Sequence, residues 1–363
     1  MTANSRPMIS LTAKLALFGT AAAALAYTVR EKRRLDFSGK TVVISGASRG
    51  LGLELARGFA DEGANVVLLA RDEQRLKENC RELEHRGAIR GAALACDVSR
   101  EDEVRSAVAA IVRDFGTIDV LVNNAGTIQV GPSEHMDLED YAAAMAVHFW
   151  GPLYLMHEAI PHMKRQGYGR IVNIASIGGK VAVPHLLPYV ASKFALVGLS
   201  EGMRAELLKD GIYVTTVSPG LMRTGSHLNA FFKGQHKKEF ALFAIANASP
   251  LFSTSSERAA GRIIEACRYG KSQIVITPQA RLLRLVNSLF PSLTAEVFGW
   301  TNRVLPGERG AEGDILRRGS ESQSAIAPSV LTRPADHAVS RNREEPQKPA
   351  DIYFQVNRGA DKV

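Results

Sequence analysis

Tyr189 and Lys193 stand four residues apart in Tyr189-Val190-Ala191-Ser192-Lys193, a spacing that puts a phenol and an ammonium on one face of a helix. A free phenol titrates near ~10 and transfers protons poorly at neutral pH. A neighbouring ammonium favours the phenolate and brings the group into a range useful for acid–base chemistry. Thirteen residues upstream, Ser176 follows the run RIVNIA and can offer its hydroxyl to a substrate oxygen. A bare Tyr-x-x-x-Lys is common by chance, and most such pairs lie on surfaces, so the case depends on what surrounds it.

Four other segments supply that context. Ser45-Gly46-Ala47-Ser48-Arg49-Gly50-Leu51-Gly52 follows an apolar run and opens a helical stretch. Glycines there allow a sharp turn and a close backbone approach to a pyrophosphate, and the helix start favours negative charge. The spacing is G-x-x-x-G-x-G, a modest signal alone that its strand-to-helix position strengthens. The next apolar run ends at Ala70-Arg71, where an NAD site carries a carboxylate for the ribose 2′-hydroxyl. Arg71 instead suits a 2′-phosphate, Arg49 can reach the same group, and the cofactor expected is NADP(H), with Asp72 as a partial counter-charge. Asp97, beside Val98, can accept from an adenine amine. Asn123-Asn124-Ala125-Gly126 offers small residues and amides to line a cleft, although such a tetrad can equally be a turn.

These segments occur in the order and spacing of the short-chain dehydrogenase/reductase family, which the chain resembles from about Phe37 to Pro278. Ser218-Pro219-Gly220 with Thr224 completes the match. The resemblance implies hydride transfer between nicotinamide and a carbonyl or alcohol substrate. It makes Tyr189 the acid/base and Lys193 a ligand of the nicotinamide ribose that tunes Tyr189. Ser176 then orients the carbonyl, while Pro219, Gly220 and Thr224 flank the nicotinamide amide. One position departs from the pattern. In Val147-His148-Phe149-Trp150-Gly151, His148 stands where the family usually has an asparagine that supports a water-borne proton relay to the lysine. Histidine can hold water and carry protons, so His148 joins the expected catalytic set. The rival reading is a non-catalytic NADP(H)-binding scaffold that lost turnover through this change.

The elements that must position these residues read as an α/β, Rossmann-type doubly wound parallel sheet. Thr41–Ser45, Asn65–Ala70, Ala92–Ala95, Val120–Val122, Arg170–Ile174, Tyr213–Val217 and Gln273–Ile276 are aliphatic with little polar alternation, as strands covered on both faces are. Helix-length periodic stretches separate them. Residues 37–280 thus form the catalytic domain. Over 281–305, Leu282, Leu285, Leu289, Leu293, Val297 and Trp300 recur at helical spacing near Arg281, Arg284 and Arg303, with Pro291 expected to kink or split the helix. That face either covers the substrate end or lies in a membrane interface.

Residues 1–36 read as an anchor with a basic flank. The stretch from Met8 to Val29, about 22 residues, is long enough to cross a ~30 Å hydrocarbon core, and Arg30, Lys32, Arg33 and Arg34 follow it. A cleaved signal peptide and a soluble leader helix are the alternatives. Heavier positive charge after the segment than before it predicts a membrane-associated protein whose catalytic body is cytoplasmic. Residues 306–363, rich in Gly, Ser, Pro, Arg and Glu, read as a largely disordered polar tail, with a local docking segment at Asp351–Val356.

The 363 residues carry a net charge of +8 and 45% hydrophobic residues, enough for a sizeable core. No nucleic-acid-binding signature accompanies the charge, and no metal site is expected. Three widely spaced cysteines, Cys80, Cys96 and Cys267, argue against a disulfide framework. Phe231, Phe232, Phe240, Leu242 and Phe243 either line an apolar substrate pocket or pack as core. Oligomeric state stays open, a homo-oligomer included.

Overall fold

The computed structural model describes residues 27–249, 253–324, 326–329 and 332–345. The aliphatic runs become the seven strands of one sheet: β1 (Thr41–Ser45), β2 (Asn65–Ala70), β3 (Arg90–Ala95), β4 (Val120–Asn123), β5 (Gly169–Ile174), β6 (Ile212–Ser218) and β7 (Gln273–Val275). Their spatial order is β7-β6-β5-β4-β1-β2-β3, and every pairing is parallel. The order reverses beside β1, and that switch point leaves a crevice at the carboxyl ends of the strands.

Burial on both faces explains the missing alternation. Val42 and Ile44 of β1 face a core that includes Phe37, Leu55, Phe59 and Ile263. Val43 between them faces another that includes Val104, Val108, Leu155 and Met156. Helices α1 (Gly50–Asp61), α2 (Glu73–Arg86) and α8 (Ser256–Arg268) cover the first face. Helices α3 (Glu101–Phe115), α5 (Gly151–Gln166) and α6 (Leu187–Leu207) cover the second. Strand β3 lies at the edge, is only partly buried, and tolerates RGAALA in place of large aliphatics. Short α4 (Leu138–Met145) precedes α5, and α7 (His236–Ala248) follows the main crossovers.

Pro291 splits the C-terminal amphipathic stretch into α9 (Pro278–Leu289) and α10 (Pro291–Asn302). Among the described residues no helix is long and apolar enough to cross a membrane. Residues 8–26, which hold most of the expected anchor, lie outside the described residues, as does Asp351–Val356.

The tail differs from its expectation of disorder. Residues 310–341 include the two-residue strand Arg317–Arg318, antiparallel to Phe231–Phe232, and helix α11 (Arg333–Arg341). Phe231–Phe232 also pairs in parallel with Gln129–Val130. The segment has few large apolar side chains, and hydrogen bonds to the domain hold it instead. His135 Nε2 accepts the Arg309 N–H at 3.0 Å, His135 Nδ1 meets Asp314 at 2.7 Å, and Gly319 N–H donates to the Ala230 carbonyl at 2.9 Å.

Candidate active site

The turn from β1 into α1 is built by backbone contacts that a side chain would block. Gly46 has φ +66°, and a Cβ on it would stand 2.7 Å from the Ala125 Cα. A Cβ on Gly52 would run into the Gly46 carbonyl and the Asn124 amide. Asn124 Nδ2 donates to the carbonyls of Ser45 (3.1 Å) and Gly46 (3.2 Å), so this amide braces the turn as well as bordering the cavity. At the end of β2, Arg71 is exposed and stands 4.0 Å from Asp97. Asp72, which borders the same cavity, caps α2 through the Arg75 N–H at 3.0 Å and pairs with the Arg75 guanidinium at 3.8 Å. Burial pulls Arg49 down to about 10 against the opposing charge of Glu344. Ser48, Leu51 and Val98 border the same cavity.

Sheet geometry places the second group of residues. Strand β5 ends at Ile174, and the Ala175 and Ile177 N–H groups donate to the carbonyls of Val217 and Pro219, both at 2.8 Å. Ser176 is thereby tied to the Pro219-Gly220 turn, and Thr224 lies buried just beyond it. Pro188 opens α6, whose first turn carries Tyr189 and whose second carries Lys193. Burial raises the Tyr189 phenol, and the Ser176 hydroxyl beside it opposes the rise. Lys193 is buried, donates to the Ile174 carbonyl at 2.9 Å and lies 5.7 Å from the centre of the Tyr189 ring. Burial pushes its ammonium down to about 7. All three residues border one cavity of about 2170 Å³ that also contains the glycine turn, Arg71, Asp97, Ala125, Gly126, Gly220 and Thr224.

The sequence model of the short chain dehydrogenases matches residues 40–231. The chain belongs to the short-chain dehydrogenase family. It is an oxidoreductase on a nicotinamide-binding fold. A zebrafish (Danio rerio) protein, dehydrogenase/reductase SDR family member 7B, is 36% identical over 206 residues, covering 55% of this chain and 67% of that one. The L-sorbose reductase of Gluconobacter frateurii, solved with NADPH and L-sorbose, superposes with a TM-score of 0.60 at 30% identity over 67% of this chain and 97% of its own. A 3-ketoacyl-(acyl-carrier-protein) reductase from Brucella melitensis, solved with NADH, gives 0.58 at 26% identity, with coverage of 66% and 97%.

In this short-chain dehydrogenase His148 does not fit the relay expected of it. It lies on a π-helical turn, Ala146–Trp150, between α4 and α5, fully buried. Nε2 accepts the Thr127 N–H at 3.1 Å. Nδ1 stands 2.8 Å from the Ser192 hydroxyl, which itself donates to the Tyr189 carbonyl at 2.9 Å. Nδ1 therefore carries the proton, and no ring nitrogen is left to hold a water. Burial and the nearby Lys193 charge keep its pKa well below the usual histidine value. The ring meets Tyr189 edge-on at 5.4 Å, so it props the phenol and the segment after Gly126 in place.

The aromatic cluster divides between the two expected roles. Phe231 and Phe243 border the cavity with Val183, Leu186 and Leu283, Phe232 and Phe240 are core, and Leu242 is exposed. The residue missed by sequence reasoning is Glu344, whose carboxylate borders the cofactor end. Its surroundings in a polar tail carry no periodic or motif signal that would have found it.

Proposed function

We propose that this chain is an NADP(H)-dependent oxidoreductase acting on an apolar ketone, aldehyde or lipid-like carbonyl, or the matching alcohol, with Tyr189 as acid/base. The observation that carries the reading is the shared cavity: Ser176, Tyr189 and Lys193 border the same space as the glycine turn. When bound, the nicotinamide supplies or accepts the hydride. The Ser176 hydroxyl donates a hydrogen bond to the substrate oxygen and fixes its position. The Tyr189 hydroxyl donates its proton to that oxygen in reduction and takes it back in oxidation. Lys193 holds the nicotinamide ribose, and its charge favours the phenolate left on Tyr189. Arg71, with Asp72 turned toward Arg75, supports NADP(H) over NAD(H). The apolar wall of Phe231, Phe243, Leu186 and Leu283 supports an apolar substrate. Both superposed reductases act on carbonyls by their names.

NADPH and NADH oxidation followed against ketones and aldehydes of graded chain length tests this. Faster turnover with NADPH, rising with apolar chain length, is expected. Equal affinity for the two cofactors would sink the NADP assignment, and no turnover with any carbonyl would favour a non-catalytic scaffold.

Membrane association, with the catalytic body on the cytoplasmic side, belongs to the same proposal. On α9 and α10, Leu282, Leu285, Leu289, Leu293, Val297 and Trp300 are each at least 50% exposed. Arg262, Lys271, Arg281 and Arg284 border a depression at the foot of α9. An apolar stripe beside basic side chains matches an anionic bilayer, and Leu283 on the same helix borders the cavity. Residues 27–345 should float with anionic vesicles and not with neutral ones, and Leu285→Glu with Leu289→Glu should abolish flotation. Unchanged flotation in that double variant rules this face out, and self-association with no vesicle binding assigns it to a second copy.

A further inference from the structure

The cofactor end of the cavity holds a carboxylate of this same chain. Beyond α11 the backbone turns through Asn342, Arg343 and Glu344 and crosses the start of α1. The Gly50 N–H donates to the Asn342 carbonyl at 2.9 Å, and Glu344 Oε1 lies 3.0 Å from where a Cβ on Gly50 would stand. The Gly225 N–H, next to Thr224, donates to Glu344 Oε2 at 2.5 Å. Glu344 is 5% exposed and borders the same cavity as Ser48, Leu51 and Thr224.

The docking is specific on both sides of the carboxylate. The Asn342 amide donates to the Ser256 hydroxyl at 3.1 Å, and the Asn229 amide donates to the Glu344 carbonyl at 2.8 Å. Arg75 donates to the Arg343 carbonyl at 3.1 Å, and Arg343 pairs with Glu82 at 3.0 Å. Backbone N–H groups at a strand-to-helix glycine turn are anion ligands, and here the Asn342 carbonyl takes that of Gly50 while the Glu344 carboxylate lies against the same glycine.

We propose that Asn342–Glu344 is an intrasteric strap that fills the pyrophosphate cradle and must leave before the dinucleotide binds. The proposal rests on the cofactor reading given above. Burial pushes the Glu344 carboxyl up to about 7 even with the Gly225 N–H and the Arg49 charge opposing the rise. The carboxylate is held there against its own desolvation. Arg49 and Arg71 offer a multiply charged dinucleotide more attraction than they offer one carboxylate. A ligand that binds only the strap-free fraction has its Kd raised by the reciprocal of that fraction.

NADPH should be titrated, by nucleotide fluorescence, into the full chain, into Glu344→Ala and into a chain ending at Arg341. Hydrogen exchange at residues 338–345 should be followed with and without NADPH. Both altered forms are expected to bind about tenfold tighter or more, and NADPH should speed exchange in the strap. If the shortened chain does not fold, Glu344→Ala, which removes only the carboxylate, decides. An unchanged Kd, or slower strap exchange with NADPH bound, overturns the proposal: the segment then ignores the cofactor or clamps it. No NADPH binding by any form overturns the cofactor reading itself and the strap with it.

Discussion

Tyr189→Phe is expected to fold, bind NADPH and lose about 100-fold to 10,000-fold in turnover, the range typical of general acid–base catalysis. Phenylalanine keeps the ring that His148 meets edge-on at 5.4 Å and keeps the first turn of α6 unchanged. Only the hydroxyl beside Ser176 goes. The change therefore isolates proton transfer from packing. Comparing kcat and NADPH Kd in the two proteins checks it. A variant retaining most of its kcat would mean that another group supplies the proton.

Lys193→Met is expected to act in two opposite directions, lowering turnover severely while raising the melting temperature at pH 7. Burial depresses the lysine from 10.5 to about 7. A lysine depressed by folding binds fewer protons in the native state than in the unfolded one. Its destabilisation is full below about pH 7 and fades as pH rises toward 10.5. At about 1.4 kcal/mol per pKa unit, the burden at pH 7 is on the order of several kcal/mol. Methionine removes it but leaves the Ile174 carbonyl unpaired, which offsets roughly 1–3 kcal/mol. The variant should thus be more stable by a few kcal/mol at pH 7, with the gap narrowing by pH 9. Melting curves at both pH values decide. A variant less stable than the parent at pH 7 would show that the Ile174 hydrogen bond outweighs the buried charge.

Residues whose role follows from chain spacing were legible in the sequence. The strands were readable because each is buried on both faces, so Val42, Val43 and Ile44 are all aliphatic although they face two different cores. Ser176, Tyr189 and Lys193 lie close along the chain, and a helix and a strand end bring them together. His148 was visible as a departure, but its partners were not. Thr127 and Ser192 lie 21 and 44 residues away, and no local pattern announces that both ring nitrogens are taken. Phe231 and Phe232 were inseparable in sequence. As consecutive residues of a strand they point to opposite sides, one to the cavity and one to the core. Order in the 310–345 segment is not legible in the sequence, because order is read from apolar side chains and this segment has few. This segment is held by hydrogen bonds to groups far away in the chain.

Pairing of Arg317–Arg318 with Phe231–Phe232 bears on the order in which this protein comes into being. A ribosome releases the sheet and the Ser176–Lys193 region long before residues 317–318 emerge. The nascent domain can form its core while the outer edge of the Phe231–Phe232 strand still waits for its neighbour. Closing that edge joins residues more than eighty positions apart, a slow step by contact order. Until it closes, the aromatic wall of the cavity presents an unpaired strand edge, open to chaperones or to another chain.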